Sequence, residues 1–157
     1  YENLLVVQTF SKSRAMAGMR IGFAFGSKKL IKYLNDAKFS FNSYTMNRPS
    51  LILGVETLKD RAYFEETVQK IINTRERVKE QLKQLGFGFP DSKANFIFAK
   101  NDKIDGEKLY LELKNQGVLV RHFTAQRIKD YNRITIGTPE QMQVLVEKIK
   151  EIITEAV

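Results

Sequence analysis

Thr9-Phe10-Ser11-Lys12-Ser13-Arg14-Ala15-Met16-Ala17-Gly18-Met19-Arg20-Ile21-Gly22 decides how the rest of the 157-residue chain is read. It sets one lysine in a polar, glycine-punctuated turn between two apolar runs, Leu4-Leu5-Val6-Val7 and Ile21-Gly22-Phe23-Ala24-Phe25. Both runs are rich in branched and aromatic residues and bounded by turn signals, which predicts two short buried strands. A lysine at the mouth of a strand is placed to react with a carbonyl, and an arginine eight residues on can hold an anion beside it. A lysine near Arg14 in an isolated turn would be a solvated surface group. A pattern of about fourteen positions with a fixed Lys-to-Arg spacing is far more specific.

That pattern resembles the lysine signature of the class-II pyridoxal-phosphate-dependent aminotransferases of fold type I. Within them, Gly18-Met19-Arg20-Ile21-Gly22 resembles the histidinol-phosphate aminotransferases in particular. The resemblance implies an α/β fold, with residues 1–58 ending a large cofactor-binding domain and residues 59–157 forming a small α+β domain. It implies pyridoxal 5′-phosphate as cofactor, joined to the catalytic Lys12 as a Schiff base. Ser11 and Arg20 would hold the cofactor phosphate, with Ser13 offering a further hydroxyl. The released Lys12 amine would then carry the proton between substrate and cofactor carbons.

Substrate residues follow from the same resemblance. Arg133-Ile134-Thr135-Ile136-Gly137-Thr138 is similar to the family's carboxylate-binding motif, so Arg133 would grip an α-carboxylate in a bidentate pair. Arg121, after Val118-Leu119-Val120, is similar to the strand-end arginine that contacts substrate phosphate. Asn95 matches an asparagine ahead of the first small-domain strand; a substrate contact and a turn-stabilising role both suit it. The implied reaction is ping-pong aminotransfer between a phosphorylated amino alcohol, histidinol phosphate, and 2-oxoglutarate, with glutamate on the other side of the exchange. A cytoplasmic homodimer is implied for the full-length protein, with Asn42 and Tyr44 near a second subunit's site. Two alternatives stay open: a threonine-phosphate decarboxylase-like enzyme and the aminotransferase-like effector domain of a transcription regulator.

Composition narrows the rest. The chain has no cysteine and one histidine, His122, so no disulfide is possible and a transition-metal site is not expected. His122 is expected at the surface. No apolar run has the length needed to span a bilayer, so no membrane partner is expected. The net charge of +8 raises nucleic acid as a partner. The lysines are scattered and alternate with acids, with no basic run interleaved with aromatics, so no nucleic-acid partner is expected either. Family enzymes are more than twice this length, and the chain opens at Tyr1 directly before a strand. It therefore reads as a C-terminal part with little activity alone, the remaining cofactor contacts and balancing acids lying upstream.

Periodicity places the elements. Ser27 is expected to cap a helix to about Ala37, with Leu30, Ile31 and Leu34 on one face. Residues 39–48 read as an irregular connection, and Pro49 opens a helix holding Leu51, Ile52, Val55 and Leu58. A long helix over 60–85 carries Phe64, Val68, Ile71, Val78, Leu82 and Leu85, with Arg75 interrupting the stripe and Gly86 ending it. Strands are expected at 95–99, 117–121 and 133–136. A helix is expected over 105–116, with Leu109, Leu111 and Leu113 among its apolar residues. A last helix starts at Thr138, with Gln141 completing a capping box and an apolar stripe from Met142 to Ile153.

Overall fold

Capping residues set where the helices begin. In the computed structural model, which describes residues 1–155, the Ser27 hydroxyl accepts the Leu30 N–H at the head of α1 (Lys28–Phe41). The Asn47 side chain accepts the Ser50 N–H at 2.8 Å and starts α2 (Arg48–Lys59), with Pro49 in its first turn. Asp105 accepts from Glu107 and Lys108 N–H at 2.9 and 3.0 Å and opens α4 (Gly106–Asn115). At α5 (Pro139–Glu155) the capping box closes in both directions. The Thr138 N–H donates to Gln141 Oε1 at 2.9 Å, and the Gln141 N–H donates to Thr138 Oγ1 at 3.3 Å. The long helix α3 (Arg61–Gln84) ends where Gly86 takes φ 83°, a left-handed conformation that glycine adopts without strain.

Two compact units divide the chain, Tyr1–Val68 and a second beginning at Gln69. The division falls inside α3, ten residues beyond the 58/59 boundary expected from the pattern. The first turns of α3 pack into the first unit, where Phe64 meets Arg14.

The first unit holds β1 (Leu5–Thr9) and β2 (Gly22–Gly26), antiparallel with Thr9 opposite Gly22 and Leu5 opposite Gly26, followed by α1 and α2. Its strands form as predicted but are not buried: Val7 is 65% and Phe25 62% exposed. A two-stranded ribbon has two edges and two faces to cover, and this unit covers few of them. Helix α2 turns its apolar residues outward. Leu51, Ile52, Val55 and Leu58 are exposed, while Ser50 and Gly54 are buried. Helix α1 runs four residues past Ala37, to Phe41, and leaves Leu34, Phe39 and Phe41 in solvent.

The second unit is a four-stranded antiparallel sheet in the order β3-β4-β6-β5, formed by Phe87–Gly88, Phe96–Asn101, Asn132–Thr135 and Arg121–His122. The strand expected at 117–121 is shorter and later. Gly117 sits at φ 79°, its N–H bonds Lys114 O, and the Val118 N–H bonds Leu113 O. This Schellman closure of α4 uses the residues that would have started the strand. Strand β3 carried no pattern signal, having only two residues.

One sheet face forms the core. Ile97, Ala99 and Ile134 pack with Val78 and Leu82 of α3, Leu109 and Leu113 of α4, and Leu145, Ile149 and Ile152 of α5. Leu111 points outward instead, because it is two residues from Leu109 and Leu113 on a 3.6-residue helix. Ile149 is fully buried, so Ile149→Ala should destabilise this unit by about 2–5 kcal/mol. Urea denaturation should show that as a lowered midpoint at unchanged slope.

Arg75 interrupts the α3 stripe for a reason. It is 4% exposed, donates from Nη1 to Ala94 O at 2.9 Å, and pairs with Glu76 at 2.8 Å. Lys79 bridges Glu76 and Asp91 at 2.9 and 2.7 Å. Hydrogen bonding to Lys79 holds the Asp91 carboxyl below its ordinary range, and Lys79 with Arg75 does the same for Glu76. These cations fasten the 91–94 segment to α3, immediately ahead of Asn95.

Candidate active site

The lysine turn is an excursion between two bonded strand ends. The Phe10 N–H donates to Ile21 O at 3.1 Å, one step beyond the Thr9–Gly22 pair. Residues 11–20 therefore leave and re-enter at one place, with Ser11 the first and Arg20 the last residue of the excursion. Lys12 is one residue further out. The Met16 N–H donates back to Phe10 O at 3.1 Å, and the Ala15 N–H to Lys12 O at 3.0 Å. Ala17–Met19 form a single 3-10 turn, closed by Arg20 at φ 57°. The Arg20 guanidinium donates to Ala17 O at 3.0 Å.

Beneath this turn lies α2, presenting its small residues. Ser50 Oγ donates to Met19 O at 2.8 Å. Gly54 leaves room for Ile21, whose Cδ1 would stand 2.9 Å from a β-carbon at that position. Thr57 O accepts from Arg14 at 2.7 Å. Ser50, Gly54 and Thr57 are spaced four and three apart, one face of a helix. Sequence reasoning passed over all three and over Arg14's destination. The available signal was that spacing of small residues on an otherwise apolar helix.

Lys12 is exposed, and among the described residues no ion pair engages Lys12 or Arg20. Ser11 is half-buried and Ser13 exposed. An amine, a hydroxyl and a guanidinium without a counter-ion, gathered at one turn, suit a ligand carrying an aldehyde and a phosphate. These residues fit pyridoxal phosphate by the chemistry of their donors.

In the second unit, the outer face of the sheet carries the other candidates. Arg121 and Arg133 are direct cross-strand partners of β5 and β6. Like charges placed opposite each other destabilise a sheet, and among the described residues neither arginine has a carboxylate partner. Aromatic rings surround them instead. Arg133 stands 5.4 Å from the Phe96 ring and 5.9 Å from Phe123, and Arg121 lies 5.6 Å from Phe123. Phe98, opposite Arg133, stacks on Tyr131 with centroids 4.6 Å apart. Asn95 is half-buried just ahead of β4, and its backbone carbonyl accepts the Ile136 N–H at 2.9 Å.

His122, expected at the surface, is half-buried and stacked on Tyr110 at 5.7 Å, with Nδ1 buried and without a hydrogen-bond partner. Its place opposite Asn132 in the short β5 strand draws it in. Among the described residues no three His, Asp or Glu side chains gather to hold a metal ion, and no helix is long and apolar enough to cross a membrane.

The fold and the lysine turn define a class, and the family model described as aminotransferase class I and II matches residues 1–149. The chain belongs to the class I and II aminotransferases. Among curated relatives, the histidinol-phosphate aminotransferase of Brachyspira hyodysenteriae is 58% identical over 153 residues. The match takes in 98% of this chain and 43% of that protein, so the chain spans less than half the length of such relatives. Among solved structures, the histidinol-phosphate aminotransferase of Clostridium acetobutylicum superposes with TM-score 0.88 at 25% identity, over 99% of this chain and 47% of that one. The Sinorhizobium meliloti enzyme, solved in complex with pyridoxal-5′-phosphate, gives 0.85 at 23% identity over 99% and 42%, a likeness of fold.

Proposed function

We propose that this chain is the C-terminal part of a pyridoxal-phosphate-dependent aminotransferase that exchanges the amino group between histidinol phosphate and 2-oxoglutarate. The observation that carries the substrate reading is the Arg121–Arg133 pair, two arginines directly opposite across β5 and β6, both near the Phe123 ring and with no acid to neutralise them among the described residues. A carboxylate in one half-reaction and a phosphate in the other would each offset the repulsion between two like charges set opposite in a sheet. The 58% identity to a histidinol-phosphate aminotransferase supports the same substrates.

Bound pyridoxal phosphate supplies a carbonyl carbon and an electron sink. Lys12 Nζ would hold that carbonyl carbon as a Schiff base, and its free amine would accept the proton from the amine-bearing carbon of the substrate and give it back. Ser11 and Arg20 keep the phosphate fixed throughout. Arg133 holds the carboxylate and Arg121 the substrate phosphate, while Asn95 stands at the head of β4, the strand paired with Arg133's own.

The exposed apolar surface of the first unit supports a reading of residues 1–58 as the end of the large domain, covered in the intact protein by the remainder of its sheet. A homodimer belongs to the same reading, with the exposed Tyr44 and the 42–47 connection facing a second subunit, as does a cytoplasmic location.

The test is reduction with borohydride in the presence of cofactor, followed by peptide mass spectrometry. Label should concentrate at Lys12 in the intact protein. The isolated chain should show little turnover and more scattered label. Assays of histidinol phosphate against threonine phosphate then separate aminotransfer from decarboxylation. Label spread over Lys28, Lys29 and Lys79 in the intact protein would overturn the reading.

A further inference from the structure

Arg14 is two residues from Lys12, and its guanidinium is engaged by the protein itself. Nη1 donates to Thr57 O at 2.7 Å, and the group lies 4.1 Å from the Phe64 ring centroid and 5.5 Å from that of Phe10. Thr57 is in the last turn of α2, where a helix leaves its carbonyls without intrahelical partners and its dipole is negative. A cation at that end is stabilised three ways: by a hydrogen bond, by the helix terminus and by two ring faces. One arginine thus joins the lysine turn to α2 and α3.

The segment Phe10–Arg14 is consequently held at both ends, with Lys12 at its centre. Phe10 is 5% exposed, bonded to Ile21 by its N–H and to Met16 by its carbonyl, and its ring meets Phe23 edge-on. Arg14 fixes the other end. The next residue, Ala15, sits at φ 53°, a left-handed conformation that a residue with a β-carbon adopts only when its surroundings impose it. Arg14 on one side and the Met16 bond to Phe10 on the other supply that constraint.

We propose that Arg14 is a positioning residue for Lys12: its clamp on Thr57 O, Phe10 and Phe64 fixes the direction in which the lysine amine leaves the turn. The proposal rests on the cofactor reading of Lys12. It concerns how that amine is aimed, and Arg14 touches neither cofactor nor substrate.

The experiment compares Arg14→Met, Arg14→Lys and the double substitution Arg14→Met with Ala15→Gly in the intact protein that carries this chain, each loaded with pyridoxal phosphate. Arg14→Met fills the space between the rings but cannot donate, and Arg14→Lys keeps the charge over Phe64 with a single ammonium. Ala15→Gly removes the left-handed strain. The readouts are the rate of borohydride-trapped labelling at Lys12, the pH midpoint of the bound cofactor's visible absorbance, and kcat separately from KM. Arg14→Met should slow Lys12 labelling and lower kcat by about 10- to 100-fold, the scale of a misplaced reacting group. It should also shift the absorbance midpoint, with KM for glutamate within about twofold. Arg14→Lys should recover most of the kcat loss while keeping a shifted absorbance midpoint, because one ammonium cannot reproduce the planar contact with both rings. Ala15→Gly should recover part of the kcat loss in the Arg14→Met background. If Arg14→Met does not fold, Arg14→Lys decides: a shifted midpoint at unchanged KM supports the clamp, and wild-type behaviour on every readout overturns it. Lys12 labelling in Arg14→Met at the wild-type rate and midpoint also overturns the proposal while leaving the cofactor reading intact. Failure of the unmutated protein to label at Lys12 overturns both.

Discussion

Lys12→Ala in the intact protein should lower turnover by about 10⁴-fold or more while leaving stability within about 0.5 kcal/mol of the unmutated protein. The two effects separate because of where Lys12 sits. Its side chain is exposed and no ion pair engages it among the described residues, so folding loses little when it is removed. On the proposed reading the chemistry loses both a covalent attachment point and the base that moves the proton. Lys12→Arg should be as inactive, since a guanidinium that stays charged can neither attack a carbonyl nor accept a proton. Single-turnover kinetics with histidinol phosphate, alongside thermal unfolding, checks both halves. A loss of less than tenfold would mean that another group does the work assigned to Lys12.

Arg133→Met should cost about 10²- to 10³-fold in kcat/KM for glutamate, the usual scale when a charged group loses its bidentate partner. Arg133→Lys should recover only part of this, because an ammonium is a point charge without the planar fork. The register adds a second signature. Arg133 is the cross-strand partner of Arg121 in β5 and β6, and like charges in directly opposite positions oppose sheet formation. Each Met variant should therefore unfold at a slightly higher temperature while binding its anion more weakly. Arg121→Met should weaken histidinol phosphate more than glutamate. Steady-state kinetics with both substrates, paired with unfolding curves, reads out all of this. If both variants are destabilised and kinetically unchanged, the pair is structural and the substrate reading fails.

Much of the second unit was legible because its signals are local. A capping box needs only Thr138 and Gln141 at the right spacing, and the stripe of α5 is a periodicity that survives without knowing what it packs on. The alternation of Ile97 and Ala99 with outward Phe96 and Phe98 is a two-residue period visible in six residues. The first unit was harder. Leu51, Ile52, Val55 and Leu58 carry a strong apolar signal, but hydrophobicity reports what a residue can bury, and none of the described residues covers that face. The buried face of α2 is instead Ser50 and Gly54, chosen for closeness of approach to the lysine turn.

The sequence by itself determined the family, the identity of Lys12, Ser11 and Arg20 as candidates, and the starts and stops of most helices. Each rests on residues within a few positions of one another. Only the tertiary structure decided that Arg121 and Arg133 stand opposite each other, because register depends on how β5 meets β6. It alone decided where Arg14 goes, since its acceptor lies 43 residues away and no local pattern encodes that meeting. Caps and periods are properties of a segment, whereas the aim of the lysine and the pairing of the arginines are properties of segments brought together by packing.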